Sequence, residues 1–366
     1  MAPDILVIGA GIFGLSVAWA AHRAGLSVKV LEAAPQLGAG SSGGVVGALT
    51  AHAPTRWRPM MAFQFQALLD LPGRVAEIEA ATDLSCGYGR TGRWTPLVSA
   101  KALAKAEADV EAAPKVWGDA ASMTLHAELP PETAGWISPE AAPFGVLHDT
   151  ISARIDPLTY LDALALGLGD AVQFKTEVTE VLRDGRVATS DGMRSSGALV
   201  LAAGWQGWDL IAPLVPALAG SAVKGQAALL RPSQIQHPTG LIYQDGLYII
   251  PHASGDIAVG STSEKAWNEP FRTDAKLDDI VAKAQKICPA LQDAKIIQRW
   301  AGLRPKPPGR EPLVGPVPGM ERIWVAGGGF KIGFGIAHAV GDALVDMIQG
   351  KTPKLPVPET FLPSNA

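Results

Sequence analysis

The 366 residues are enough for two domains or one large one, and a composition 48% apolar and 18% charged is that of a folded protein, not a disordered chain. A net charge of -4 leaves no basic excess, so nucleic acid is not an expected partner. The two cysteines, Cys86 and Cys288, lie far apart with no second Cys or paired His beside them; they indicate neither a disulfide framework nor a metal site, and a reducing, cytoplasmic compartment is expected.

Residues 4–8 are a short β-branched apolar run, 14–24 have helical spacing of small and apolar residues, and 27–31 are strand-like and end at Glu32. The uncharged stretch 5–21 follows Asp4 and is broken by three glycines, so it reads as strand, turn and helix, not as a leader or membrane span. Residues 38–47 form a Gly/Ser loop, 63–80 a helix interrupted at Pro72-Gly73, and 101–113 a solvated helix, while Pro-rich stretches near 130–131 and 139–143 read as linkers. Asp156 is expected to cap a helix over 158–168 that has Pro157 in its first turn. Short strands follow at 172–174, 178–182, 186–189 and 198–202, with hairpin turns at Asp184-Gly185 and Asp191-Gly192. A β-rich region spans 222–262, a strand over 322–326 runs into three glycines, a helix occupies about 335–349, and 353–366 reads as a loosely held terminus.

The octapeptide VIGAGIFG at 7–14 is a glycine-rich turn between strand and helix. Backbone N–H groups at a helix N-terminus suit a pyrophosphate. Gly9 permits the tight turn, Gly11 the close approach of phosphate, and Gly14 the packing of helix on sheet. Eighteen residues after Gly14, Glu32 is placed to accept from ribose hydroxyls and to repel a 2′-phosphate, which argues against NADP. An ordinary β-α turn with a coincidental Glu is the alternative. The unit does not itself separate NAD from FAD, but a run of further β-α-β units does not follow it. Instead a long insertion precedes a β-meander ending in ALVLAAGW (198–205), and a second strand and Gly-rich turn come only at 322–348, so the nucleotide domain is assembled from separated pieces.

Five matches make the chain resemble the FAD-dependent amine and amino-acid oxidases, the glycine oxidase, D-amino acid oxidase and sarcosine oxidase-like family. They are the N-terminal unit with Glu32, the Ser/Gly loop 40–47, IDPLTYLDAL (155–164), LVLAAGW (199–205), and RWAGLRPKPPGREPLVGP with VAGGGFKIGFGIAHAVGDAL. The resemblance implies an α/β (α+β) two-domain fold, with a Rossmann-like FAD-binding domain from 1–50, 146–215 and 305–366. A mixed-sheet substrate-binding domain from 51–145 and 216–304 completes it. The FAD-binding residues it implies are Gly9, Gly11, Ile12, Phe13, Gly14, Glu32, Ala33, Ser41, Ser42, Gly43, Gly44, Val178, Ala203, Gly204, Trp205, Gly302, Arg304, Gly328, Gly329, Phe330, Lys331, Ile332 and Gly333. Sarcosine oxidase-like relatives attach flavin through a Cys near the segment that here reads LRPKPPG; with none there, FAD is expected to be non-covalent. Gly40–Gly44 also fits the G-x-S-x-G elbow of hydrolases, a motif that needs a strand leading into it.

The resemblance also implies a substrate site. Arg304 matches the carboxylate-binding arginine and Tyr248 the tyrosine that adds a second hydrogen bond, with Tyr243 as the competing match; Lys331 stands where glycine oxidase-like sequences carry Arg. Lys331 is open to a role toward substrate, flavin or oxygen. Glu264, His252 and Trp267 are placed to line the pocket without a catalytic assignment. The implied reaction is hydride transfer from Cα of a small amine or amino acid to flavin, hydrolysis of the imine, and reduction of O2 to H2O2, with no obligatory protein base. A same-fold dehydrogenase using a quinone or protein acceptor, and a non-catalytic binding protein like the GDP-dissociation inhibitors, are the alternatives. A homo-oligomer is compatible with all three.

Overall fold

A computed structural model of the protein describes residues 2–234, 240–309 and 311–365; the parts of the expected segments that fall on 1, 235–239, 310 and 366 lie outside them. Among these described residues seven helices run in chain order: α1 (Ile12–Arg23), α2 (Pro59–Thr82), α3 (Ala100–Trp117), α4 (Pro157–Leu168), α5 (Gly207–Ile211), α6 (Ala275–Ile287) and α7 (Gly333–Ile348). Among the described residues two large sheets carry most of the strands, with a three-stranded and a two-stranded sheet beside them.

The first sheet has six strands in the order Leu313–Pro316, Ile323–Gly327, Ala198–Leu201, Ile5–Ile8, Val28–Leu31 and Val172–Gln173. All its neighbours are parallel except the edge pair 313–316 and 323–327. Its central strands are apolar on both faces and fully buried, as a parallel sheet covered twice requires. One face packs on α1, α2, α4 and α7, the other on α5 and a three-stranded antiparallel ribbon. That ribbon, Val178–Val181, Val187–Thr189 and Gly192–Arg194, turns at 184–185 and 191–192 as expected. Asp156 caps α4, accepting from the N–H groups of Leu158 and Thr159 at 3.1 and 3.2 Å.

The second sheet has eight strands in the order Lys295–Lys306, Ser221–Arg231, Ile257–Gly260, Leu247–Pro251, Leu241–Gln244, Arg93–Pro96, Val146–Asp149 and Met123–His126. The strand at 146–149 pairs here, so the chain beyond 146 contributes to both sheets. α6 covers one face.

Three expectations are corrected. Pro72 does not interrupt α2: the carbonyl of Leu68, which its missing N–H leaves free, accepts from the Arg90 guanidinium at 3.0 Å. The Pro-rich stretches are not linkers but short turns that seat Trp136, 1% exposed, whose indole N–H donates to the Gly240 carbonyl at 3.0 Å. The segment beyond 353 is anchored, because Phe361 is fully buried edge-on against Phe63 of α2, with ring centroids 5.5 Å apart. Phe361→Ala is therefore expected to lower stability by about 3–5 kcal/mol, measured as a fall in the urea midpoint of the flavin-loaded protein, where a loose terminus gives no change.

Candidate active site

The C-terminal ends of strands 5–8, 28–31, 198–201 and 323–327 open on one side of the six-stranded sheet, together with the N-termini of α1 and α7. A cavity of about 1000 Å³ lies there, closed from the other side by residues of the eight-stranded sheet. This is where open α/β sheets bind ligands.

At one end the glycine turn makes the cradle. Gly9 has φ +99°, and a Cβ on Gly14 would lie 1.8 Å from the Gly9 carbonyl oxygen, so glycine at both positions lets α1 begin directly under the turn. Glu32 receives the Ala10 N–H at 2.7 Å on one carboxylate oxygen and the Ala34 N–H at 2.9 Å on the other. Each oxygen keeps a lone pair for a ribose hydroxyl. The Ser42 hydroxyl accepts from the Ile12 N–H at 3.1 Å, which puts the Ser/Gly loop against the first turn of α1. No strand leads into that loop from 33–40, so the hydrolase elbow lacks its structural context.

Of the residues expected at the cofactor, Gly9, Gly11, Ile12, Phe13, Glu32, Ala33, Ser41, Ser42, Gly44, Val178, Ala203, Gly204, Trp205, Arg304, Gly328, Gly329, Phe330, Lys331 and Gly333 line the cavity. Gly14, Gly43, Gly302 and Ile332 are not among the lining residues. Gly302 is covered by the Trp300 ring, 2.5 Å from where its Cβ would be. Neither α1 nor α7 has a side-chain hydrogen bond from its N-cap residue, and both turn a positive dipole end to the cavity, the first N–H of α1 being taken by Ser42. These features fit a dinucleotide: hydroxyl acceptors at Glu32, a Cβ-free phosphate approach at Gly11, and a second helix terminus at the far end.

The other end carries Arg304, 8% exposed on strand 295–306. Its guanidinium lies over Gly225 of the neighbouring strand, where a Cβ would approach to 1.8 Å, so any side chain there would push the guanidinium out of this position. Arg304 donates to the Thr262 carbonyl at 3.2 Å and the Ser261 hydroxyl at 2.7 Å. Burial pushes the guanidinium down to about 10, with Glu264 opposing it, so it remains a cation at neutral pH. Lys331 lies in the loop before α7; burial and then the Arg304 charge push its ammonium below the usual lysine range. Tyr248 lines the cavity with its hydroxyl 3.0 Å from that of Thr50. Its cross-strand partner Tyr243, ring centroid 4.7 Å away, is not among the lining residues and sits beside the Arg93 guanidinium.

Glu264 is behind Arg304, held by Thr262, Gln226 and Lys276, and His252 is buried with Nε2 2.8 Å from the Val45 carbonyl oxygen. Neither these two nor Trp267 lines the cavity. Ser261, Thr50, Gly225 and Trp300 were not singled out from the sequence. One signal was available: Trp300, Gly302 and Arg304 alternate on one face of a strand, with a period of two. Glu32→Ala is expected to weaken binding of FAD roughly tenfold or more, a charge-assisted hydrogen bond contributing about 1.5–3 kcal/mol; flavin fluorescence released on dilution measures it.

Comparison with known proteins agrees with this geometry. Residues 4–347 match the family model DAO, FAD dependent oxidoreductase. The chain is 28% identical to a glycine oxidase of Bacillus licheniformis over 375 residues, 98% of this chain and 96% of that one. A glycine oxidase of Pseudomonas putida is 36% identical over 168 residues, 46% of each chain, so the match spans about half the length of that relative. The crystal structure of glycine oxidase from Geobacillus kaustophilus superposes with a TM-score of 0.88 at 19% identity, covering 99% of this chain and 98% of that one, which establishes the shared fold. FAD is accordingly the cofactor, and the chain belongs to the FAD-dependent oxidoreductase family.

Proposed function

We propose that the protein oxidises the C–N bond of a small amine or amino acid. The observation that carries this reading is Arg304: buried at the far end of the FAD cavity, with three of its five N–H donors uncommitted among the described residues. When bound, FAD would supply the two-electron acceptor for a hydride from the substrate's Cα, with O2 as final oxidant reduced to H2O2; the substrate imine would hydrolyse with water to an oxo acid, or an aldehyde where there is no carboxylate, and free amine.

The chain's own residues set the geometry. The Arg304 fork holds a carboxylate in two hydrogen bonds and so fixes the Cα–H direction. Burial holds the Tyr248 phenol above the usual tyrosine range, so it remains a hydrogen-bond donor. Trp300 and Phe334 contribute aromatic wall that excludes water. The acids on the cavity wall are Glu32, Glu177 and Asp209; no carboxylate is within ion-pair distance of Arg304 or Lys331 among the described residues, which suits a substrate that enters as the neutral amine and needs no protein base.

Residues 303–309 contain no Cys, which supports non-covalent FAD. The division into an FAD-binding domain (1–50, 146–215 and 305–366) and a substrate-binding domain (51–145 and 216–304) belongs to the same proposal. So does a cytoplasmic location, supported by two buried free cysteines. Among the described residues no helix is long and apolar enough to cross a membrane.

Oxygen consumption and peroxide release across small amines test this reading, with Arg304→Ala expected to lower kcat/KM for a carboxylated substrate about 30-fold or more, since a buried charge pair contributes about 2–5 kcal/mol. Intact turnover in that variant rejects the site. Dye reduction without air, and no peroxide with it, assigns the protein to dehydrogenases instead. Acid precipitation is expected to leave the yellow colour in the supernatant.

A further inference from the structure

The Arg304 end of the cavity holds more positive charge than one carboxylate neutralises. Lys331 reaches the same cavity from the opposite sheet, on the loop between strand 323–327 and α7, and its ammonium makes no ion pair among the described residues. The Phe330 ring lies beside it, with Nζ 6.0 Å from the centroid. Arg304 is also without an ion pair: its donors go to a carbonyl and a hydroxyl, and Glu264 stands behind Thr262, already paired with Lys276 at 2.7 Å. The acids on the cavity wall are elsewhere. Glu177 adjoins Thr176, whose N–H donates to the Glu32 carbonyl, which places both acids beside α1, and Asp209 is on α5. A buried guanidinium and a solvent-exposed ammonium thus line one cavity with no ion-pairing carboxylate among the described residues, and the Arg304 charge is, after burial, the second cause of the lowered Lys331 ammonium.

Resting on the amine-oxidation reading above, we propose that the substrate is a small amine bearing two acidic groups, one carboxylate on the Arg304 fork and the second on the Lys331 ammonium. The fork fixes the carboxylate next to the reacting carbon, because only a planar donor pair sets its orientation. The flexible ammonium serves as a point charge for the second, more distant group. A monoacid occupies the fork alone and makes no contact with Lys331, so Lys331 acts as a specificity-determining residue.

Ligand binding tests this without turnover. Malonate, succinate and acetate are titrated into the flavin-loaded protein and followed by perturbation of the flavin absorption bands. One of the two diacids is expected to bind at least about tenfold tighter than acetate. Lys331→Met is expected to abolish that preference and Lys331→Arg to restore it. In steady state, the ratio of kcat/KM for iminodiacetate or aspartate over that for glycine or sarcosine is expected to exceed about ten in the wild type and to collapse toward one in Lys331→Met. Equal affinity for acetate and both diacids, or a diacid preference that survives Lys331→Met, overturns the proposal. If Lys331→Met does not retain FAD, the wild-type comparison of diacids with acetate decides alone. Absence of turnover with every amine rejects the oxidase reading, while the diacid titration still reports on the paired cations.

Discussion

The guanidinium of Arg304 lies flat on the backbone of Gly225, and much of the substrate end of the cavity follows from that contact. Strands 221–231 and 295–306 are antiparallel with Gly225 opposite Gly302, so two side chains are missing at facing positions. One gap receives the Arg304 fork and the other the Trp300 ring. The long side chains that border the cavity are thus laid along the sheet rather than projected from it, and space is left above them. A methyl group at 225 would displace the charge into that space.

Held in this way, Arg304 has hydrogen bonds but, among the described residues, no acid at contact distance, an unusual state for a buried cation. Its attraction is directed toward what enters the cavity. The N-terminus of α7 adds partial positive charge nearby, and that of α1 does the same at the opposite end, where Glu32 supplies the acceptors. The cavity therefore has two differently polarised ends, one suited to hydroxyls and phosphates and one to carboxylates and a reduced ring.

The first β-α-β unit is readable from sequence because strand, turn and helix are contiguous and each has a strong local pattern. α4 is readable for the same reason, since Asp156 and Pro157 mark its start. Elements whose reasons lie far away are not. The continuity of α2 through Pro72 depends on Arg90, and the burial of Phe361 depends on Phe63, about three hundred residues earlier. The strands at 93–96, 123–126 and 146–149 are only four residues each and are separated by helix and proline-rich turns, so no local periodicity announces them. At the site, the glycines and Glu32 have a mechanism visible in the sequence, whereas Arg304, Tyr248 and Lys331 were singled out by resemblance alone. Ser261 and Gly225 come to the guanidinium only through strand pairing, which a single strand's pattern does not reveal.

The order of the six-stranded sheet bears on how the protein is made. Strand 5–8 leaves a ribosome early, but its sheet partner 198–201 follows almost two hundred residues later, and 323–327 and α7 later still. Until then the first unit has an open sheet edge and an exposed face on α1, an arrangement dominated by distant contacts that folds slowly. The glycine turn at 9–14 is thus translated first and the turn at 327–333 last, so the two halves of the cavity wall come together only when residues 323–348 are present.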